Sequence, residues 1–193
     1  MRKLVLIAAV TAASATPALA QPDAPFTGAH VEGMAGWDHA GRNGAGNNDG
    51  VAYGVGVGYD FQLGGAVVGV EGEAADATTD RCAGNVSVPG DELCFKAKRD
   101  LYAGARVGAV IGKQTLLYAK GGYTNARFGL DYDDGATGAG NFRTGRNLDG
   151  FRVGAGVERQ LGTNTFAKAE YRYSNYQQGF DRHQVVAGVG VRF

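Results

Sequence analysis

Residues 184–193 read QVVAGVGVRF, and their alternation decides what kind of fold the chain can adopt. Val185, Ala187, Val189, Val191 and Phe193 fall on one parity; Gln184, Val186, Gly188, Gly190 and Arg192 fall on the other. A period of two belongs to a β-strand, whose successive side chains point to opposite faces. One face of this strand is apolar, while the other carries glycine and charge. Terminal residues of a soluble domain usually fray, so an aromatic ring committed at Phe193 implies apolar surroundings there.

The pattern extends upstream. Glycine supplies 33 of the 193 residues, against roughly 7% on average, and it recurs at every second position in YGVGVGY (53–59) and VAGVGV (186–191). Glycine is costly inside helices, so the composition argues for strands. Period-two segments cover 27–37, 51–61, 66–74, 98–110, 115–124, 150–160, 165–173 and 184–193. About eight strands of roughly ten residues match a transmembrane barrel, whose strands need ~9–11. Connections at 62–65, 111–112 and 161–164 are short, whereas 38–50, 76–95, 131–149 and 174–183 are long and rich in Gly, Asn and Asp. Short turns at one end and long loops at the other are the topology of an outer-membrane barrel. The predicted fold is therefore all-β: an eight-stranded antiparallel up-and-down transmembrane β-barrel.

Parity predicts what each face meets. Val51, Tyr53, Val55, Val57, Tyr59 and Phe61, with Leu101, Val107, Phe151, Val153 and Val157, form an uncharged face. Its aromatic residues gather near strand ends: Tyr59, Phe61 and Phe193 toward the short turns, and Trp37, Tyr53, Tyr123, Phe151, Tyr171 and Tyr173 toward the long loops. Two aromatic bands suit the two headgroup regions of a bilayer. The opposite face carries Glu32, Asp60, Glu71, Glu73, Asp100, Arg106, Lys120, Arg152, Glu158, Lys168, Glu170, Arg172 and Arg192, separated largely by glycine. A soluble ligand-binding barrel would reverse these faces, with bulky apolar side chains inward and few glycines outside.

Met1–Ala20 reads as a secretory signal peptide, with basic Arg2 and Lys3, an apolar run, and small residues Ala18 and Ala20 before the cleavage point. The barrel domain is then expected over 21–193. Removing Arg2 and Lys3 leaves 17 basic against 19 acidic residues, a balance that gives no basic face for nucleic acid. No later segment approaches the roughly 18 apolar residues of a spanning helix.

The stretches EYRYSNYQ (170–177) and VAGVGVRF (186–193), with VGVEGEA (68–74), LYAKGGYTNA (117–126) and FRVGAGVE (151–158), resemble the OmpA-like, opacity-type outer-membrane proteins, the porin family of small eight-stranded barrels. The resemblance covers essentially all of 21–193. It implies a bacterial outer-membrane location, a lipid and lipopolysaccharide environment, a monomeric state, and insertion by the barrel-assembly machinery. It also implies that Val185, Val189, Val191 and Phe193 form the C-terminal assembly signal. No peptidoglycan-binding segment is seen after the barrel, so wall anchoring is not carried over.

The first candidate site is a packed interior ion-pair network centred on Glu32, Glu71, Arg106, Lys120, Arg152, Glu158, Lys168, Glu170 and Arg172. An eight-stranded barrel is just wide enough for its own side chains. Such a network is expected to plug the lumen, with low-conductance passage of small solutes or ions as the upper bound. Cys82 and Cys94, in RCAGNVSVPGDELCF (81–95), are expected to form a disulfide in an exported chain. The oxygen-rich stretches GRNGAGNNDG (41–50) and DYDDGATGAG (131–140) lack the ordered ligands and terminal Glu of a calcium loop, so no metal is expected and no cofactor either. Ser174 and His183 lie across the last loop and are a candidate nucleophile and base, without an orienting third group. The chain is expected not to be an enzyme, a lipid A-modifying activity being the alternative. Another alternative is a loop-mediated adhesin or surface antigen with a host or envelope ligand.

Overall fold

Alternating residues can bury only one face of a sheet, and glycine-rich strands curve readily, so the sheet closes on itself. The computed structural model describes residues 24–42, 45–78, 80–84, 91–133, 142–177 and 180–193. The predicted signal peptide at 1–20 lies outside them, as does most of the DYDDGATGAG stretch.

The strands are β1 (Gly28–Arg42), β2 (Ala45–Leu63), β3 (Ala66–Ala77), β4 (Asp80–Gly84), β5 (Glu92–Ile111), β6 (Thr115–Asp133), β7 (Phe142–Gln160), β8 (Thr165–Tyr176) and β9 (Phe180–Arg192). Every pairing is antiparallel and joins chain neighbours, apart from the closing pair of β1 with β9 and the pair of β3 with β5, which lies below the pairing of β4 with β5. The short β4 thus continues the stave begun by β3. The ladder closes where β1 meets β9, from His30↔Arg192 to Arg42↔Phe180, giving a closed eight-stranded barrel. Closure leaves no unpaired sheet edge.

At the seam, Phe193 N donates to the carbonyl of Ala29 at 2.8 Å. Gly28 sits against it with φ of 131°, and a Cβ there would lie 2.1 Å from the Phe193 carbonyl oxygen. Gly64 and Gly112 take left-handed φ of 63° and 68° in the β2–β3 and β5–β6 turns, a conformation glycine adopts without steric cost.

The long connections differ from expectation. The predicted loops 38–50, 76–95, 131–149 and 174–183 are largely zipped into strand: β2 begins at Ala45, β5 at Glu92 and β7 at Phe142, while β6 runs to Asp133. Strands of 19 or 20 residues are about twice what a bilayer requires. Glycine and asparagine there lie in hairpin ladders rather than open loops, because the strands continue to pair beyond the barrel wall.

The apolar parity faces outward throughout. Val55, Val70, Val107, Val185 and Val189 are exposed, and so are Tyr59, Phe61 and Phe193 near the turns and Trp37, Tyr53, Tyr123, Phe151 and Tyr171 toward the hairpins. Tyr53 and Phe61 lie eight residues apart on β2, roughly 26 Å of strand. A tilt near 40° reduces this to about 20 Å, comparable to the ~25 Å apolar band of outer-membrane barrels.

Candidate functional site

The opposite parity fills the lumen. Side chains of Glu32, Glu71, Arg106, Lys120, Arg152, Glu158, Lys168, Glu170 and Arg172 are all buried, and each joins an ion pair with another interior residue. What admits them is glycine on the neighbouring strand. Glu32 is opposite Gly56, Lys120 opposite Gly154, Lys168 opposite Gly188, and Glu71 lies between Gly58 and Gly104. Two aromatic residues follow the same pattern. Tyr118 covers Gly156 and Phe166 covers Gly190 so closely that a Cβ would fall 2.8 Å and 2.4 Å from their rings. Glycine partners thus make room for many of the large inward side chains, though not for all: Glu158 stands between Leu116 and Lys168, and Tyr102 between Glu73 and Thr124.

The pairs stack in three tiers. Nearest the short turns, Arg106 Nε donates to Asp60 Oδ1 at 2.8 Å and Nη1 to Glu158 Oε2 at 3.1 Å. Arg192 closes this ring, with Nη1 2.7 Å from Asp60 Oδ2 and Nη2 2.6 Å from Glu158 Oε1. In the middle, Lys120 Nζ lies 2.8 Å, 2.7 Å and 2.8 Å from carboxylate oxygens of Glu71, Glu73 and Glu170. Lys168 Nζ donates to Glu32 Oε1 at 2.5 Å. Arg172 reaches Glu73 Oε1 at 2.9 Å across the lumen and also bonds Glu170, while Tyr118 Oη donates to Glu170 Oε2 at 2.6 Å. Toward the hairpins, Arg182 grips Asp38 through Nε and Nη2 at 2.5 and 2.8 Å. Its Nη1 shares Asp100 with Arg152, which also bonds Ser174 Oγ at 2.8 Å. Burying this many charges is tolerable only because each faces opposite charge and hydrogen-bond partners.

Apolar groups cap the stack. At the turn end, Phe26 is fully buried and packs with Val67, Leu116 and Tyr118. The segment carrying it crosses the barrel mouth, tied by Arg192 Nη1 to the Phe26 carbonyl at 2.6 Å, Gln160 Nε2 to the Pro25 carbonyl at 2.6 Å, and Phe26 N to Gln62 Oε1 at 3.1 Å. The Arg192 guanidinium lies 5.9 Å from the Phe26 ring and 5.5 Å from that of Phe166. At the hairpin end, Ala126 and Tyr176 pack with Leu148 and Phe180.

The nine expected residues are therefore brought together, but they are part of a larger set. Asp60, Glu73, Asp100 and Arg192 share their parity and complete the pairs. Asp38 and Arg182 continue the alternation of β1 and β9 into stretches read as loops, so extending the parity outward would have found them. Phe26 precedes the first periodic segment, and nothing in the sequence marks it. Val185, Val189 and Phe193 are exposed on the outer face and Val191 stands beside them. Ser174 and His183 occupy opposite faces: Ser174 is buried against Arg152, while His183 Nδ1 is 2.7 Å from the Tyr171 hydroxyl on the exterior. They do not form a nucleophile and base. Cys82 and Cys94 are direct partners in the β4–β5 ladder; the Cys82 side chain lies outside the described residues. Among the described residues no His, Cys, Asp and Glu group could hold a metal.

Comparison with known proteins agrees with this architecture. The profile of the Outer membrane protein beta-barrel domain matches residues 6–193. A 22 kDa outer membrane protein of Rhizobium leguminosarum bv. viciae is 29% identical over 149 residues, covering 71% of this chain and 64% of that protein. A 25 kDa outer-membrane immunogenic protein of Brucella ovis is 28% identical over 137 residues, covering 71% and 61%. The chain thus spans just under two thirds of the length of these relatives. Among solved structures, Neisserial surface protein A superposes with a TM-score of 0.60 at 18% identity, covering 86% of this chain and 98% of that one. Ail, the attachment invasion locus protein of Yersinia pestis, gives 0.57 at 17% identity, with 86% and 99% covered. At that identity the likeness is one of fold.

Proposed function

The chain belongs to the Outer membrane protein beta-barrel domain family and resides in the bacterial outer membrane; on that footing we propose that it is a non-catalytic, closed barrel that stabilises the envelope and presents its β-hairpins outside the cell. The observation that carries this reading is the Glu73–Arg172 contact at 2.9 Å. It joins β3 to β8 across the lumen, between Phe26 below and Tyr176 above. Solute passage would require breaking several shared ion pairs at once, so plugging is favoured over gating. Osmotic swelling of proteoliposomes tests it. Vesicles carrying the folded chain should swell in small sugars no faster than empty ones; sugar-dependent swelling would assign it a porin role.

A second role for the hairpins has its own support. The strands extend far past the outer aromatic row, and relatives of this architecture carry names that speak of attachment and immunogenicity. Loop-mediated binding to a host or envelope ligand is measurable as adhesion of whole cells to immobilised matrix protein. Replacing 134–141 and 85–90 by short turns should abolish adhesion with the barrel still folded; unchanged adhesion would remove this role.

A further inference from the structure

The outer wall is not uniformly convex. Between β2, β3, β5 and β6 lies a cavity of about 590 Å³ that opens sideways, floored by Gly72, Ala74 and Ala103 and walled by Val55, Leu101 and Tyr123. It exists because these strands place the small residues Gly72 and Ala103 side by side on the outward parity, with Ala74 next to them. A Cβ added at Gly72 would meet only the Tyr102 carbonyl oxygen, at 3.7 Å. The cavity lies between the two aromatic rows, where the surroundings are hydrocarbon.

Its upper rim changes character. Asn125 stands at the top of the cavity and donates through Nδ2 to Asp149 at 2.6 Å, while Tyr123 Oη donates to the same carboxylate. One strand repeat further, roughly 7 Å toward the hairpins, are the exposed Arg127 of β6 and Arg99 of β5. The register shifts here: Ala97 pairs with Phe128 and Asp100 with Ala126, so two residues of β5, 98 and 99, stand against the single Arg127 of β6. Bulges locally disrupt the ladder, and beside this one Arg99 and Arg127 are both exposed. Two carboxylates flank it. Asp149 is held by Tyr123 and Asn125, and Asp76 accepts from the amide of Ala77 at 2.8 Å.

We propose that this face binds a phosphorylated lipid A of the outer leaflet, one acyl chain seated in the cavity over Gly72 and a phosphate held by Arg99 and Arg127. The volume is that of a small-ligand cleft, ~300–1,000 Å³, whereas a stable protein partner would need about 1,200 Å² or more of complementary surface. Apolar cavity and cationic rim follow one another in the order of an acyl chain and its phosphate. The cations lie on the hairpin side, away from the periplasmic turns, which selects the outer leaflet.

The test uses the full chain folded in detergent micelles, with bisphosphorylated lipid A, dephosphorylated lipid A and phosphatidylethanolamine as probes, and native mass spectrometry to count bound lipid. One lipid A per barrel is expected. Removing the phosphates, or substituting Arg99→Ala together with Arg127→Ala, should weaken binding roughly 10- to 30-fold, from about 1 kcal/mol per arginine near a charged surface. Gly72→Val, which fills the cavity without touching the rim, should weaken both forms of lipid A. If it fails to fold, as judged by loss of heat-modifiable gel mobility, Ala103→Leu replaces it. Equal retention of phosphatidylethanolamine, indifference to the phosphates, or unchanged binding in either class of variant would overturn the proposal.

Discussion

At the scale of single residues, many of the charged and aromatic side chains that project inward have glycine as a ladder partner, as Lys120 has Gly154 and Tyr118 has Gly156. Gly156→Val tests the second pair directly. Its Cβ would fall 2.7 Å from the Ala169 carbonyl oxygen and 2.8 Å from the Tyr118 ring, displacing the hydroxyl that donates to Glu170. Overpacking of this sort costs about 1–3 kcal/mol, readable as a lower urea midpoint for the folded chain in lipid vesicles. Removing charge should cost more. Arg106→Ala strands Asp60 and Glu158 without one of their cations, and breaking a buried pair from one side costs roughly 3–5 kcal/mol. The temperature at which the folded band is lost on unheated gels should fall accordingly, whereas Arg159→Ala on the outer parity should leave it nearly unchanged. Parity alone identifies which residues point inward. It does not identify partners, because pairs such as Glu73 with Arg172 form between residues far apart in sequence, across a lumen whose width depends on closure.

At the scale of elements, the β4–β5 hairpin carries the cysteines. Cys82 and Cys94 are directly opposed, and Cα atoms so placed in an antiparallel ladder lie about 4.5–5.5 Å apart, within the span of a disulfide. A bridge closing this short loop would stabilise the hairpin by roughly 3 kcal/mol in the chain-entropy account. Unreduced, unfolded protein should therefore yield no reaction with a thiol reagent, and two reactive thiols per chain would refute the bridge. The membrane portions of the strands are legible from alternation, since one face must meet lipid and the other the lumen. Their continuations are not. In 41–50 and 131–149, Gly, Asn and Asp dominate, residues whose local preference is for turns. Only the cross-strand ladders, Asp131↔Arg143 and Tyr132↔Phe142 among them, extend these segments as strand. The seam is similar: the alternation of 184–193 shows a strand, but its pairing with β1 is a property of the closed sheet.

At the scale of the whole molecule, two surfaces of opposite chemistry are separated by one layer of backbone. The outer face meets hydrocarbon between two aromatic rows, and the inner face is a column of ion pairs closed by Phe26 and Tyr176. This division explains the composition of the chain, with glycine spent where charge must fit. It also locates function, since a filled lumen leaves the hairpins and the outer wall as the working surfaces. If the column of side chains fills the lumen without a break, single-channel recording in planar bilayers will see a closed barrel. The purified, folded chain should insert without discrete conductance steps, and Arg152→Ala should leave that silence unbroken. Regular, long-lived open steps from the unmodified protein would show a continuous wet path through the lumen and rule out the plug.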